Sequence, residues 1–167
     1  QTVLPDEIVL VEDGRLTDEL YEAISEYECR PSEISFVTVK LEKNSGLGLA
    51  LAEGIKHCSN ELVARMDTDD ICVPDRFERQ LNAFNQNKNL DVVGGYIAEF
   101  DVDKEHITAE RKVPLNHKEI VSYQRKRDGL NHVSVMFKRR SVLESGNYKS
   151  CLLMEDSLLW ANMIKNH

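Results

Sequence analysis

With 167 residues, 41% of them hydrophobic, and a mean hydropathy of -0.41, the chain holds enough material for one globular domain with one substantial core, and too little for a second. No run of about 18 apolar residues is present to span a bilayer, and the opening Gln1-Thr2-Val3-Leu4-Pro5-Asp6 does not read as a secretory leader. Asp and Glu number 29 against 21 Lys and Arg, so the net charge of -8 repels a phosphate backbone and argues against nucleic acid as a partner.

Ile8-Val9-Leu10-Val11 is a short continuous apolar run closed by Glu12-Asp13-Gly14, the pattern of a strand buried on both faces. Thr17 then predicts an N-cap for a helix whose stripe is Leu20, Ile24 and Tyr27, stopped by Pro31. Ile34 to Leu41 reads as a second strand, Asn44-Ser45-Gly46 as a turn, and Leu47, Leu51 and Ile55 as the stripe of a second helix ending near Cys58. Glu61 to Met66 is the third strand, and Pro74 suits the first turn of a helix with Phe77, Leu81 and Phe84 on one face. Strand and helix alternating in this way predict a predominantly parallel sheet covered by helices. Further on, Asp91 to Phe100 reads as a strand interrupted by Gly94-Gly95, and Asp101 to Val113 as hairpin or loop. Asn116 with Glu119 predicts a capping box before a helix through Ile120 and Tyr123, and His132 to Lys138 a strand. A short helix from Ser141 to Glu144 precedes a last helix opening at Glu155-Asp156.

The four cysteines, Cys29, Cys58, Cys72 and Cys151, form no Cys-x-x-Cys pair and read as reduced thiols of a cytosolic compartment.

The chemistry concentrates at Met66-Asp67-Thr68-Asp69-Asp70, where three carboxylates occupy four positions directly after a strand. Like charges so crowded repel, and a structural turn needs only one Asp, so a cation or a donor-rich ligand is the expected beneficiary. Hard oxygen ligands suit Mg2+, Mn2+ or calcium; Mg2+ takes one or two protein carboxylates and completes its shell with water and substrate phosphates. In open α/β sheets the ligand crevice lies beyond the carboxyl ends of the strands, where both Asp13 and the Asp67 cluster stand. An EF-hand reading fails, because Ile71, Cys72 and Pro74 occupy positions that need a ligand, a glycine and an uninterrupted loop.

Taken together, Val11-Glu12-Asp13-Gly14, Asn44-Ser45-Gly46-Leu47-Gly48, Met66-Asp67-Thr68-Asp69-Asp70 with Pro74-Asp75-Arg76-Phe77, Asn131-His132-Val133-Ser134-Val135-Met136 and Glu155-Asp156 closely resemble family 2 glycosyltransferases. The resemblance covers essentially the whole chain and is nearest to bacterial enzymes of exopolysaccharide and lipopolysaccharide synthesis. It implies the GT-A fold, a Rossmann-like, mostly parallel α/β sheet flanked by helices. The family's first strand and helix would precede this chain, so the open sheet edge is expected to be covered by residues outside it or to drive homo-oligomer formation. One incomplete domain over 1–167 follows, with 1–90 as the nucleotide-sugar and metal half and 91–167 as the acceptor half.

The resemblance further implies a nucleotide-sugar donor, expected to be UDP-linked, a Mg2+ or Mn2+ cofactor, and inverting transfer to a glycan or lipid-linked saccharide. By position, Asp13 would bind the nucleotide base, Asp67 the ribose, diphosphate or metal, Asp69 the metal and Asp70 a metal-bound water. Gly95 and His132 would border the donor pocket. Asp156 would be the general base, with Glu155 orienting the acceptor, and Arg76 would fix the aspartate loop by ion pairing. Two positions depart from the family pattern, Asn162 where Arg is frequent and Arg15 where Ser is common. The expected location is the cytoplasm, peripheral to the inner face of the cell membrane. The competing readings are a noncatalytic nucleotide-sugar-binding module of the same fold and another metal-dependent nucleotide-processing enzyme.

Overall fold

The computed structural model describes residues 1–166. Along the chain run β1 (Glu7–Asp13), α1 (Asp18–Glu28), β2 (Ser35–Leu41), α2 (Leu47–His57), β3 (Leu62–Ala64), α3 (Arg76–Gln86) and β4 (Val92–Val93). Then follow β5 (Ile97–Phe100), β6 (Ile107–Arg111), α4 (His117–Tyr123), a single 3-10 turn (His132–Ser134), β7 (Met136–Lys138), α5 (Arg139–Glu144) and α6 (Glu155–Asn166).

Local chemistry sets the boundaries of several elements. The Thr17 hydroxyl accepts from the backbone N–H of Leu20 at 3.4 Å, and the Asn116 side chain from that of Glu119 at 3.1 Å, so both predicted caps form. Gly14 adopts a φ of 90° to turn the chain out of β1, and a side chain there would meet the Asn44 backbone nitrogen at 2.6 Å. The Asp101 region resolves as a hairpin, in which β5 and β6 pair antiparallel.

The α/β reading holds, and its parallel element is the β1–β2 pair, in register from Glu7 opposite Ser35 to Asp13 opposite Leu41. The central strand of the other sheet is β7, which runs antiparallel to both β3 and β4. Strand–helix alternation predicts parallel neighbours only for strands joined by a helical crossover. The partner of β3 instead arrives from more than 70 residues downstream, Ala64 facing Met136, after α3, β4, the β5–β6 hairpin and α4, so no single crossover constrains its direction. The halves 1–90 and 91–167 accordingly share a sheet, with β7 between β3 and β4.

The core lies beneath that shared sheet. Val135 and Phe137 from the β7 segment, Val142 from α5, and Leu159, Trp160 and Met163 from α6 pack with Ile55 of α2, while Val63 of β3 rests against them. Helix α1 buries none of its residues and is peripheral. Among the described residues no helix is long and apolar enough to cross a membrane, and all four cysteines are free thiols.

Helix α3 holds the junction under the aspartate loop through polar groups that hydrophobic periodicity does not reveal. Arg76 Nη2 donates to the carbonyls of Arg65 (2.7 Å) and Val135 (2.9 Å), bracing the place where β3 leaves β7. Fixing the loop is thus Arg76's observed effect, but through backbone carbonyls instead of the expected carboxylates. Gln80, buried on the same helix, donates to the carbonyls of Val93 and Ser134 at 3.1 and 2.7 Å. Arg76→Met removes a charged donor from two inward-facing carbonyls and is expected to lower stability by about 3 kcal/mol, read as a lower urea midpoint at unchanged slope.

Candidate active site

The site is built from three chain segments that one glycine draws together. Asp13, at the end of β1, accepts the backbone N–H groups of Ser45 (2.6 Å) and Gly46 (2.9 Å) with its two carboxylate oxygens, clamping the loop that opens α2. Two residues on, Gly48 lies so near the carbonyl of Lys149 that a Cβ would overlap it, and that Cβ would also stand 3.1 Å from Glu155 Cβ. The loop held by Asp13 is therefore pressed against the start of α6. Between Ser45–Leu49 and Ser150–Glu155 runs an open, mainly apolar cleft of about 210 Å³.

The first turn of α6 presents Glu155 and Asp156. Asp156 Oδ1 accepts the N–H of Ser157 at 2.8 Å, a bond that favours the carboxylate. Desolvation outweighs it, and with the carboxylates of Asp128 and Glu155 nearby the proton affinity of Asp156 is raised above the usual carboxylate range. Asp128 is attached to this turn directly, since its Oδ1 accepts from the Ser157 hydroxyl and, at 3.2 Å, from Gln124 Nε2.

In the aspartate loop the three carboxylates differ. Asp67 pairs with the Arg65 guanidinium. The carboxylates of Asp69 and Asp70 make no hydrogen bond or ion pair among the described residues, although the Asp70 N–H donates to the Asp67 carbonyl at 3.3 Å. The proton affinity of Asp70 is raised, first by desolvation and then by the charges of Asp67 and Asp69.

Between the loop and α6 sits a buried aromatic group. His132 Nε2 lies 2.8 Å from the Tyr148 hydroxyl, and the His132 ring meets Trp160 edge-on at 5.9 Å. Burial, and secondarily the Arg65 charge, push the His132 pKa down to about 3, so the ring is neutral. The Tyr148 phenol is raised above its usual range, mainly by burial, and it feels Arg65, Asp156, Glu155 and Asp67 together. Tyr148 thus adjoins both the loop and the base of α6, and its neighbour Lys149 contacts Gly48. Along this path the structure gathers Asp13, Asp67, His132, Glu155 and Asp156, with Asp69 and Asp70 beside Asp67.

Gly95 has a different setting. Its N–H donates to the Ser134 hydroxyl at 2.9 Å and its carbonyl accepts from Asn131 at 2.9 Å, while an added Cβ would meet Ser134 Cβ at an ordinary 3.9 Å. These bonds tie the end of β4 to the 3-10 turn.

The sequence profile of Glycosyl transferase family 2 matches residues 1–146. The chain belongs to this family. An uncharacterized glycosyltransferase of Haemophilus influenzae is 43% identical over 98% of the chain and 60% of its own length. The amylovoran biosynthesis glycosyltransferase AmsE of Erwinia amylovora is 38% identical over 98% of the chain and 60% of its own length. A UDP-Gal:alpha-D-GlcNAc-diphosphoundecaprenol beta-1,3-galactosyltransferase of Escherichia coli is 33% identical over 99% of the chain and 58% of its own length. The chain thus spans about 60% of the length of these relatives. Among solved structures, the mannosyltransferase PcManGT of Pyrobaculum calidifontis, in complex with GDP-Man and Mn2+, superposes with a TM-score of 0.66 at 14% identity over 94% of this chain and 42% of that one. That likeness establishes the GT-A fold.

For a family 2 glycosyltransferase the fold implies a divalent cation, and the residues present fit one. The unpartnered carboxylates of Asp69 and Asp70 are hard oxygen donors in mutual repulsion, which a cation relieves. Among the described residues no three His, Cys, Asp or Glu side chains form a closed cage. A site completed by phosphate oxygens and water needs no such cage.

Two residues escaped the motif reading. Asp128 follows Arg125-Lys126-Arg127 and meets Ser157 29 residues on, whereas Arg65 directly follows β3 and pairs with Asp67 only two positions away; neither residue type at its position forms a recognisable motif. The neutral His132 makes a stability prediction. Its folded pKa lies below its unfolded value of about 6.5, so its contribution is present above that pH and is lost as pH falls toward 3. Wild type should lose up to about 1.4 kcal/mol per pH unit through this group, and His132→Phe should flatten that slope by one proton in urea titrations across the same window.

Proposed function

We propose that this chain carries the donor-binding and catalytic centre of a metal-dependent, inverting glycosyltransferase of bacterial surface polysaccharide synthesis. It moves a sugar from a nucleoside diphosphate, expected to be UDP, to a hydroxyl of a lipid-linked saccharide at the inner face of the cell membrane. The observation that carries the reading is the contact of Gly48 with Lys149 and Glu155, which sets the Asp13-clamped loop against the acids of α6. The lipid-linked acceptor and UDP donor are supported by the Escherichia coli relative, whose name states both.

In this reading Asp13 has two parts. Each carboxylate oxygen holds a loop N–H and retains a lone pair, so the clamp remains able to accept a hydrogen bond from the nucleotide base. Asp69 and Asp70 hold the cation, and Asp67, fixed by Arg65, faces the ribose or diphosphate. A bound Mg2+ or Mn2+ supplies Lewis-acid stabilisation of the charge gathering on the diphosphate. Asp156 accepts the acceptor's hydroxyl proton as the new carbon–oxygen bond forms and the bond from the anomeric carbon to the diphosphate oxygen breaks. Attack from the face opposite the leaving group inverts that carbon. The raised proton affinity of Asp156 serves this transfer, because a stronger base takes the proton earlier in bond formation. Glu155, on the cleft, orients the acceptor.

In the intact protein, Asp156→Asn is expected to lower kcat by ~10² to 10⁴-fold and to leave donor binding in place. Asp69→Ala should abolish the extra thermal stabilisation that Mn2+ adds to a UDP-sugar. Equal shifts in Asp69→Ala and wild type would exclude Asp69 from the metal site, and undiminished turnover by Asp156→Asn would exclude it as the base.

A further inference from the structure

Arg65 is 6% exposed, and it is poorly satisfied for a buried cation. Its Nη2 pairs with Asp67, whereas Nε and Nη1 find no acceptor among the described residues. A guanidinium cannot escape this cost by losing its proton, so each orphaned N–H is a standing penalty until an oxygen meets it. The surroundings show where that oxygen would come from. The charge of Arg65 is felt by Asp70, His132 and Tyr148, and Tyr148 in turn feels Glu155 and Asp156. Arg65 thus joins the aspartate loop through its bond to Asp67 and acts on the His132–Tyr148 pair, whose tyrosine is followed by the Lys149 that meets Gly48. It is a fixed positive charge where acids dominate.

We propose that Arg65 is an anion-binding residue of the site, donating its free guanidinium N–H groups to an oxygen of a bound diphosphate. The proposal rests on the glycosyltransferase reading and adds a protein-borne contact to it. Within pairing distance of Arg65 the described residues supply one carboxylate, that of Asp67, while the unpartnered Asp70 feels its charge without bonding it and the nearby His–Tyr couple is neutral, so Nε and Nη1 are left without an acceptor. A phosphate oxygen suits them better than a sugar hydroxyl, because it is an ionised acceptor that adds charge attraction to the bond and matches the planar guanidinium fork. The diphosphate has two sources in this chemistry, the nucleoside diphosphate of the donor and a prenyl diphosphate anchoring the acceptor.

The test measures the affinity each diphosphate gains over its phosphate-free counterpart, in the presence of Mn2+. The pairs are UDP against uridine, GDP against guanosine, and farnesyl diphosphate against farnesol, titrated into the intact protein. Arg65→Gln is expected to lower the gain at least tenfold for the diphosphate that Arg65 holds, with uridine, guanosine and farnesol unaffected. The probe that responds identifies the source. A general distortion would instead weaken diphosphate and phosphate-free ligands alike, which counts against the proposal. Should Arg65→Gln not fold, Arg65→Lys keeps the buried charge and its Asp67 partner, and is expected to lose at least threefold because an ammonium cannot reproduce the guanidinium fork. An unchanged gain in the folded variants overturns the role of Arg65. No gain for any diphosphate in wild type overturns the functional reading beneath it, so the two failures are distinct.

Discussion

The contact between Gly48 and the Lys149 carbonyl is the constraint from which the rest of the site follows. It is a contact between two backbones, and only a residue without a Cβ permits it. On one side of it the loop is tied to β1 by the two bonds of Asp13; on the other, Lys149 leads through a short segment into Glu155 and Asp156. Separation of α2 from α6 at this point would release the acid of β1 from the acids of α6 even with every side chain intact. The α6 face that makes the docking possible is the buried set Leu159, Trp160 and Met163, so the core and the site share one helix.

A second division of labour concerns the two arginines around the aspartate loop. Arg76 bonds main-chain carbonyls on both sides of the β3–β7 junction and fixes the path of the chain. Arg65 bonds a side chain, that of Asp67, so among the described residues Asp69 and Asp70 are the carboxylates of the loop without a protein partner, while the charges of both Asp67 and Asp69 still raise the proton affinity of Asp70. In the proposed site one of the three carboxylates is paired with protein and two remain for a cation, which matches the small number of protein ligands that Mg2+ or Mn2+ needs when phosphates complete the shell.

Local signals explain what could be read before the fold was known. Caps at Thr17 and Asn116 and the breaks at Gly14 and Pro31 depend on a residue and its near neighbours, so element positions followed from them. The candidate acids Asp13 and Asp67 to Asp70 stood out because strand ends in an α/β fold deliver side chains to one rim. Non-local choices were not legible. The antiparallel insertion of β7 depends on which distant segment reaches β3 first, and the buried Gln80 has carbonyl partners 13 and 54 residues away. The strand expected from His132 begins only at Met136, because Ser134 turns its hydroxyl back onto the Asn131 carbonyl and keeps the preceding residues in a 3-10 turn.

The base role proposed for Asp156 draws on more than its place at a helix terminus. The Ser157 N–H and the helix field favour ionised Asp156, which keeps the carboxylate available but weakens its pull on a proton. Burial and the neighbouring Asp128 act the other way, and burial is the largest effect. Because Asp128 is held to the same turn through the Ser157 hydroxyl, its charge stays close to Asp156 whatever the solvent does around the cleft. The opposing influences leave a carboxylate more basic than an exposed one and still stabilised in its charged form by its own helix. That combination suits the base role proposed for Asp156, since a group that abstracts a proton from a sugar hydroxyl must be ionised before reaction and strongly basic during it.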